Sequence, residues 1–94
     1  MNTEKHYVLI IKNSCHYCQG AMELLRDVEA SFVYTDMEHA PRILDSTKEQ
    51  MAWYTVPMIW EQDIVWEDEV PVVKENDFVG GLSELRERFD DGGE

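Results

Sequence analysis

A chain of 94 residues, with 44% apolar and 11% aromatic side chains, has the size and composition of one small globular domain. Its formal net charge of −12 argues against nucleic acid and anionic membrane surfaces as partners, because both call for basic patches. The apolar run at 8–11 is too short for a secretory signal or a membrane span, so we expect a cytoplasmic protein.

The first predicted strand, His6–Ile11, leads through a short polar turn to the chain's two cysteines, Cys15 and Cys18. This C-x-x-C pair opens a segment whose apolar residues recur at helical spacing over 21–28. A helix start favours an anion, so we expect Cys15 as the nucleophilic thiolate and Cys18 as its more buried partner. A strand, a turn and C-x-x-C at a helix start together favour redox chemistry in a cytoplasmic protein.

Two other interpretations of the cysteine pair stay open. The pair could be half of a zinc site, but the chain has no second C-x-x-C and no H-x₃₋₅-H pair beside its three histidines. The cysteines could also be inert core thiols, although inert thiols need no such spacing at a strand-to-helix turn. We therefore expect no metal bound by the chain alone.

The rest of the chain continues as strand, helix, two strands and a last helix. A short strand is predicted at 32–34, and Pro41 suits the first turn of a second helix. This order implies a right-handed crossover and a parallel strand pair. Two antiparallel strands are expected within 58–79, with a turn at 75–77, and apolar spacing at 82–89 marks a helix that the acidic, glycine-rich tail ends.

Four features, in this order along the chain, resemble the glutaredoxins, a family with the thioredoxin fold. They are Lys12 and Tyr17 around the two cysteines, as in the family's K-x-x-C-x-Y-C, then Thr55-Val56-Pro57 as its T-V-P, and Gly80-Gly81 as the glycine pair before its last helix. The resemblance covers nearly all of residues 1–94 and implies a single domain. That domain would have a thioredoxin-like α/β fold, β-α-β-α-β-β-α, with a central mixed four-stranded sheet flanked by helices.

The resemblance also implies a glutathione site next to the catalytic cysteines, Cys15 and Cys18. The T-V-P proline of the family is cis and faces the disulfide, which frees the backbone of Val56 to pair with glutathione or a peptide. Lys12 is expected to stabilise the thiolate or hold a carboxylate, and the helix start after Gly81 to receive the γ-glutamyl carboxylate. The expected glutathione-binding residues are Lys12, Tyr17, Thr55, Val56, Pro57, Gly80, Gly81 and Ser83.

The chain departs from the family pattern in three places. His16 replaces the proline that commonly follows the first cysteine, and its imidazole is expected to tune the pKa of Cys15. Ser83 stands where the family often has an acidic residue, which weakens the case for tight glutathione binding. The segment after the T-V-P is long, so either the hairpin is extended or an acidic loop is inserted at about 60–73.

The long segment also offers a second candidate for the cis proline. Pro71 follows a valine, as Pro57 does. We prefer Pro57, because its T-V-P directly follows a predicted helix as in the family, whereas Pro71 would need a long irregular connection before it.

The resemblance implies a glutaredoxin-type thiol-disulfide oxidoreductase, in which Cys15 attacks a disulfide and Cys18 or a second glutathione resolves the product. Its expected partners are glutathione, as cosubstrate, and proteins that contain disulfides, and a monomer is expected. One alternative is a [2Fe–2S] module, since some glutaredoxins without the motif proline hold a cluster between two subunits. Another is a thioredoxin-like electron donor to a dedicated protein such as ribonucleotide reductase, bound through the acidic segment 61–69.

Overall fold

A computed structural model describes residues 3–92 and contains seven elements in the order β-α-β-α-β-β-α. The strands are β1 (Thr3–Ile11), β2 (Ser31–Asp36), β3 (Met58–Glu67) and β4 (Val70–Gly80). The helices are α1 (His16–Asp27), α2 (Pro41–Met51) and α3 (Leu82–Gly92). The thioredoxin-like fold class predicted from the sequence is confirmed.

The four strands form one mixed sheet in the order β2-β1-β3-β4. β1 is parallel to β2, with Tyr7 opposite Phe32, and antiparallel to β3, with Tyr7 opposite Glu61. A parallel pair needs a crossover, which α1 supplies. β1 reads as a continuous apolar run because it is a central strand whose two faces are both covered.

Two groups of buried side chains pack on opposite faces of the sheet. Leu9 of β1 packs with Leu25 of α1 and Leu85 of α3, and all three have no exposed surface. Ile10 points to the other face and packs with Leu44 of α2, because successive strand residues alternate between faces. Burying one such side chain contributes about 2 kcal/mol. β1 and β4 run in the same direction, because each is antiparallel to β3, so α1 and α3 begin at the same end of the sheet.

β3 and β4 form one long hairpin closed by a two-residue turn at Asp68 and Glu69. The two residues have φ values of 51° and 65°, and a type I′ turn requires positive φ at both central positions. The long segment after the T-V-P is therefore an extended hairpin, and the acidic residues up to Glu67 lie in a strand.

The turn predicted at 75–77 is wrong, because these residues lie inside β4. Asn76 faces Gln62 across the strand pair, and the Gln62 Nε2 donates to Asn76 Oδ1 at 3.2 Å. The polar sequence resembles a turn, but β4 is an edge strand, and edge strands commonly carry charged and polar residues. Register shifts near Lys74 and Val79 further disguise the alternation expected of a strand.

Predicted and observed boundaries differ at both ends of the chain. β1 begins at Thr3 rather than His6, because the extended hairpin places Val65 of β3 opposite Thr3. α3 continues to Gly92 rather than ending at the acidic tail, since unfavourable charges at a helix end cost only tenths of a kcal/mol each. Residues 93 and 94, the last of that tail, lie outside the described part. Between residues 3 and 92, no helix has the length and apolarity needed to cross a membrane.

Candidate active site

The cysteine pair lies where the carboxyl end of β1 turns into α1. Cys15 is the N-cap residue, and its Sγ accepts a hydrogen bond from the Cys18 backbone N–H at 3.3 Å. The turn is closed by the Cys15 N–H, which donates to the Lys12 carbonyl at 3.0 Å. Both cysteines are free thiols, Cys15 partly exposed and Cys18 fully buried. This matches the expected difference in exposure and leaves Cys15 as the thiol that a substrate reaches.

Burial raises the pKa of the Cys18 thiol to about 12, with a further contribution from its hydrogen bond with Cys15. A hydrogen bond with the backbone of Lys12 lowers the pKa of Cys18 by a smaller amount. At neutral pH Cys18 therefore keeps its proton, and a protonated thiol is a poor nucleophile. Cys18 is therefore poorly suited to make the first attack on a substrate disulfide.

The Val56–Pro57 peptide bond is cis and lies against the cysteines. The Cys15 thiol donates to the Val56 carbonyl, with Sγ and oxygen 3.7 Å apart. Pro71, the other candidate, lies opposite Trp66 on the hairpin, close to its turn. The structure thus places the cis proline at the T-V-P sequence.

A pocket of about 270 Å³ opens beside the cis proline and is bordered by three parts of the chain. Its lining residues are Tyr17 of α1, then Trp53, Thr55, Val56 and Pro57, and Gly81, Leu82, Ser83 and Glu84 at the start of α3. Six of the eight expected glutathione-binding residues therefore surround one opening. Tyr17 is the most open of its aromatic walls, with 69% of the residue exposed.

Glu84 is a pocket residue that the sequence interpretation missed. Its Oε1 accepts a hydrogen bond from the Gly81 backbone N–H at 2.8 Å. This contact is one half of a capping box, in which the third residue of a helix reaches back to the N-cap amide. The signal in the sequence is a glutamate three residues after the second glycine of the Gly80-Gly81 pair.

Trp53 is the second residue that the sequence interpretation missed. Its ring lines the pocket and packs edge-on against Phe78, with centroids 5.4 Å apart. The Trp53 Nε1 is buried and has no hydrogen-bond partner within residues 3–92. The sequence offers a weak signal, a large aromatic residue just before the T-V-P.

The turn before Cys15 is held by two carboxylates from the end of β2 and the loop after it. The Ser14 N–H donates to Glu38 Oε1 at 2.7 Å, and the Asn13 N–H donates to Asp36 Oδ1 at 3.3 Å. The hydrogen bonds from Ser14 lower the pKa of Glu38. These contacts fix the approach to the cysteines from a segment more than twenty residues away.

The Glutaredoxin family model matches residues 7–65, which is more than half of the chain. The chain belongs to the glutaredoxin family. The matched range includes the cysteine pair and the cis proline of this glutaredoxin. A search among curated proteins gave no match.

Solved structures with the same fold include two glutaredoxins and a thioredoxin. Glutaredoxin from Brucella melitensis is 24% identical with a TM-score of 0.64, over 93% of this chain and 80% of that one. Glutaredoxin 1 from Francisella tularensis, complexed with cacodylate, is 20% identical with a TM-score of 0.62, over 93% and 94%. Plasmodium falciparum thioredoxin is 12% identical with a TM-score of 0.51, over 97% and 73%. These similarities show the shared fold.

Three expected residues of this glutaredoxin lie outside the pocket lining. The Lys12 carbonyl closes the turn before Cys15, while its ammonium forms no ion pair among the described residues. His16 is exposed as the first residue of α1. Gly80 is buried at the end of β4 with φ of 118°, and a Cβ there would lie 3.1 Å from the Trp53 ring. Gly80 thus shapes the site by allowing close packing.

This glutaredoxin has few side chains placed to bind a metal. Within the part of the chain that the structure describes, no three His, Cys, Asp or Glu side chains come together as a metal site. Cys15 is the one partly exposed thiol, whereas a [2Fe–2S] cluster takes four ligands. A cluster would therefore need further ligands from outside these residues.

Proposed function

We propose that this protein is a glutathione-dependent thiol-disulfide oxidoreductase with Cys15 as its nucleophile. The observation that best supports the proposal is the pair of a partly exposed Cys15 and a buried Cys18 at one helix start, with the Val56 carbonyl against the Cys15 sulfur. The family shown above is one of thiol-disulfide oxidoreductases. We further propose that it acts as a monomer in the cytoplasm, where thiols stay reduced.

The first proposed step is attack of the Cys15 thiolate on one sulfur of a substrate disulfide. A bond forms between the two sulfurs, the substrate S–S bond breaks, and the departing thiolate takes up a proton. The product is a mixed disulfide at Cys15. The fixed position of the Val56 carbonyl supports this step, because an extended substrate backbone can align beside it.

The second proposed step restores the cysteines by one of two routes. Cys18 attacks the Cys15 sulfur, passes its proton to the departing thiolate and leaves an internal disulfide, which two glutathione molecules reduce while becoming glutathione disulfide. Alternatively a glutathione thiolate attacks the substrate sulfur bound to Cys15, which releases the Cys15 thiolate and leaves a mixed disulfide of glutathione and the substrate. A second glutathione thiolate breaks that bond, so in both routes two glutathione thiols are oxidised to glutathione disulfide.

The test is turnover of a glutathione mixed disulfide, coupled to glutathione reductase and NADPH. We expect activity in the wild type, none in Cys15→Ser, and retained activity in Cys18→Ser, because glutathione can replace the second thiol. An inactive wild type whose Cys15 still alkylates rapidly would reject glutathione dependence. The protein would then be examined as a donor to a dedicated protein, with visible absorbance of the fresh protein as the check for a cluster.

A further inference from the structure

The turn between β1 and α1, residues 12–14, is bonded to the end of β2. Asp36, the last residue of β2, pairs with Ile11, the last residue of β1. Its Oδ1 accepts the Asn13 N–H at 3.3 Å and the Glu38 N–H at 2.9 Å. Asp36 therefore joins the turn to the loop that carries Glu38.

Glu38 makes the contact nearest to the reactive thiol in the sequence. Its Oε1 accepts the N–H of Ser14, the residue directly before Cys15, at 2.7 Å. The hydrogen bonds from Ser14 lower the pKa of Glu38, with smaller contributions from His39 and Lys12. Glu38 is thus ionised at neutral pH, and a hydrogen bond to an ionised acceptor is stronger than one between neutral groups.

The turn has no proline to stiffen it. His16 is the first residue of α1, where a proline would fix the backbone without costing a helical hydrogen bond. Cys15 has φ of −93° and ψ of 119°, the extended conformation that a following proline requires. Since the chain has histidine there, the constraint on the turn comes from side-chain contacts such as that of Glu38.

We propose that Glu38 is a positioning residue for Cys15. Its hydrogen bond with Ser14 holds the turn in the form in which the Cys15 sulfur accepts the Cys18 N–H at 3.3 Å, a contact that stabilises a thiolate. The inference rests on the proposed function in taking Cys15 as the nucleophile, and it does not depend on glutathione. The charge of Glu38 by itself would disfavour a thiolate, so position and charge predict opposite effects.

The test is the rate of alkylation of Cys15 by iodoacetamide across a range of pH. All proteins carry Cys18→Ser, which leaves Cys15 as the only thiol and keeps the backbone N–H at position 18. The variants are Glu38→Ala, Glu38→Gln and Glu49→Ala. Glutamine keeps an acceptor for the Ser14 N–H without the charge. Glu49 is the matched control, because it is exposed on α2.

We expect Glu38→Ala to move the pH profile of alkylation by about half a unit towards alkaline pH, which slows the reaction about threefold on the acid side. Glu38→Gln and Glu49→Ala should follow the parent protein. The midpoint of the profile does not depend on the fraction of folded protein, so partial unfolding does not mimic this shift.

A second pair of variants tests whether Glu38 acts by constraining the turn. His16→Pro supplies a constraint at the first helical position. In that background Glu38→Ala should no longer move the profile, so the two substitutions are expected to be non-additive. Comparing Glu38→Ala within each background removes the direct effect of losing the imidazole.

The inference would be overturned by an unmoved profile in Glu38→Ala, by an equal shift in Glu38→Gln, or by a full shift that persists with His16→Pro. Faster alkylation in both Glu38 variants would show that the charge acts and the position does not. If Cys15 of the parent protein were not alkylated, the proposed function would fail as well. Alkylation without turnover of a glutathione mixed disulfide would reject glutathione dependence alone.

Discussion

The two ends of the sheet, the cysteine end around Cys15 and the hairpin end around the turn at Asp68 and Glu69, differ in their polar contacts. At the cysteine end, backbone amides donate to carboxylates, as Ser14 does to Glu38 at 2.7 Å and Gly81 does to Glu84 at 2.8 Å. At the hairpin end the polar contacts are ion pairs open to water, such as Lys74 with Glu67 at 2.9 Å. Exposed ion pairs contribute about 0–1 kcal/mol, so they do little to fix geometry. The amide–carboxylate bond of Ser14 joins the turn before Cys15 to the segment after β2, whereas the ion pair of Lys74 joins two neighbouring strands of the hairpin.

The largest expected contrast between the two ends is in stability. Ile11→Ala should lower the free energy of unfolding by about 3 kcal/mol, because Ile11 is almost fully buried at the end of β1 that leads to the cysteines. Val73→Ala on the hairpin should cost about 0.5 kcal/mol or less, since Val73 is 49% exposed. Urea unfolding followed by circular dichroism measures both. Equal losses of unfolding free energy in the two variants would contradict the expected difference between the two ends.

A methyl group at Gly80 should damage the cysteine end directly. Gly80 has φ of 118°, and a Cβ would lie 3.0–3.1 Å from Glu84 and Trp53. Gly80→Ala should therefore cost about 2 kcal/mol of stability, from strained backbone and crowded packing, and slow the reaction of Cys15. Gly20→Ala, in α1, is the control without a positive φ, because its Cβ would also meet a neighbour, the Leu82 side chain, at 3.0 Å. If Gly80→Ala left both stability and thiol reactivity unchanged, the tight packing around Glu84 would be refuted.

Much of the cysteine end could be predicted from short motifs, while the contacts that support it could not. C-x-x-C, T-V-P and the glycine pair are local in sequence and mark one pocket. The contacts of Glu38 with Ser14 and of Asp36 with Asn13 join residues 24 and 23 positions apart, and no periodicity reveals such pairs. At the hairpin, the polar residues 75–77 of an edge strand have the composition of a turn. The pairing register of β3 and β4 therefore could not be predicted from the sequence.

Alkaline pH should weaken the cysteine end in particular. The pKa of Cys18 is raised from 9.0 to about 12, so the folded state keeps a proton that the unfolded chain releases. This stabilisation is complete below pH 9 and is lost as pH rises toward 12. Between pH 9 and 10 the reduced wild type should lose up to about 1 kcal/mol more than Cys18→Ala in urea unfolding. Equal losses of stability in the wild type and in Cys18→Ala would show that titration of Cys18 does not cause the loss.

The smallest expected effect is a gain at the hairpin turn. Asp68 and Glu69 both have positive φ, which asparagine and glycine adopt more readily. The double substitution Asp68→Asn and Glu69→Gly should raise stability by about 0.5–1 kcal/mol and leave reaction at Cys15 unchanged. Thermal unfolding and thiol kinetics provide the two readouts. A loss of thiol reactivity would show that the two ends are coupled.

The most direct test of the central claim is to treat Cys18→Ser and Cys15→Ser with glutathione disulfide at neutral pH and locate the adduct by mass spectrometry. Cys15 is partly exposed beside Val56, whereas Cys18 is buried and protonated. We predict one glutathione on Cys15 in the Cys18→Ser protein and none on the Cys15→Ser protein. An adduct forming on Cys18 as fast as on Cys15 would contradict the assignment of Cys15 as nucleophile.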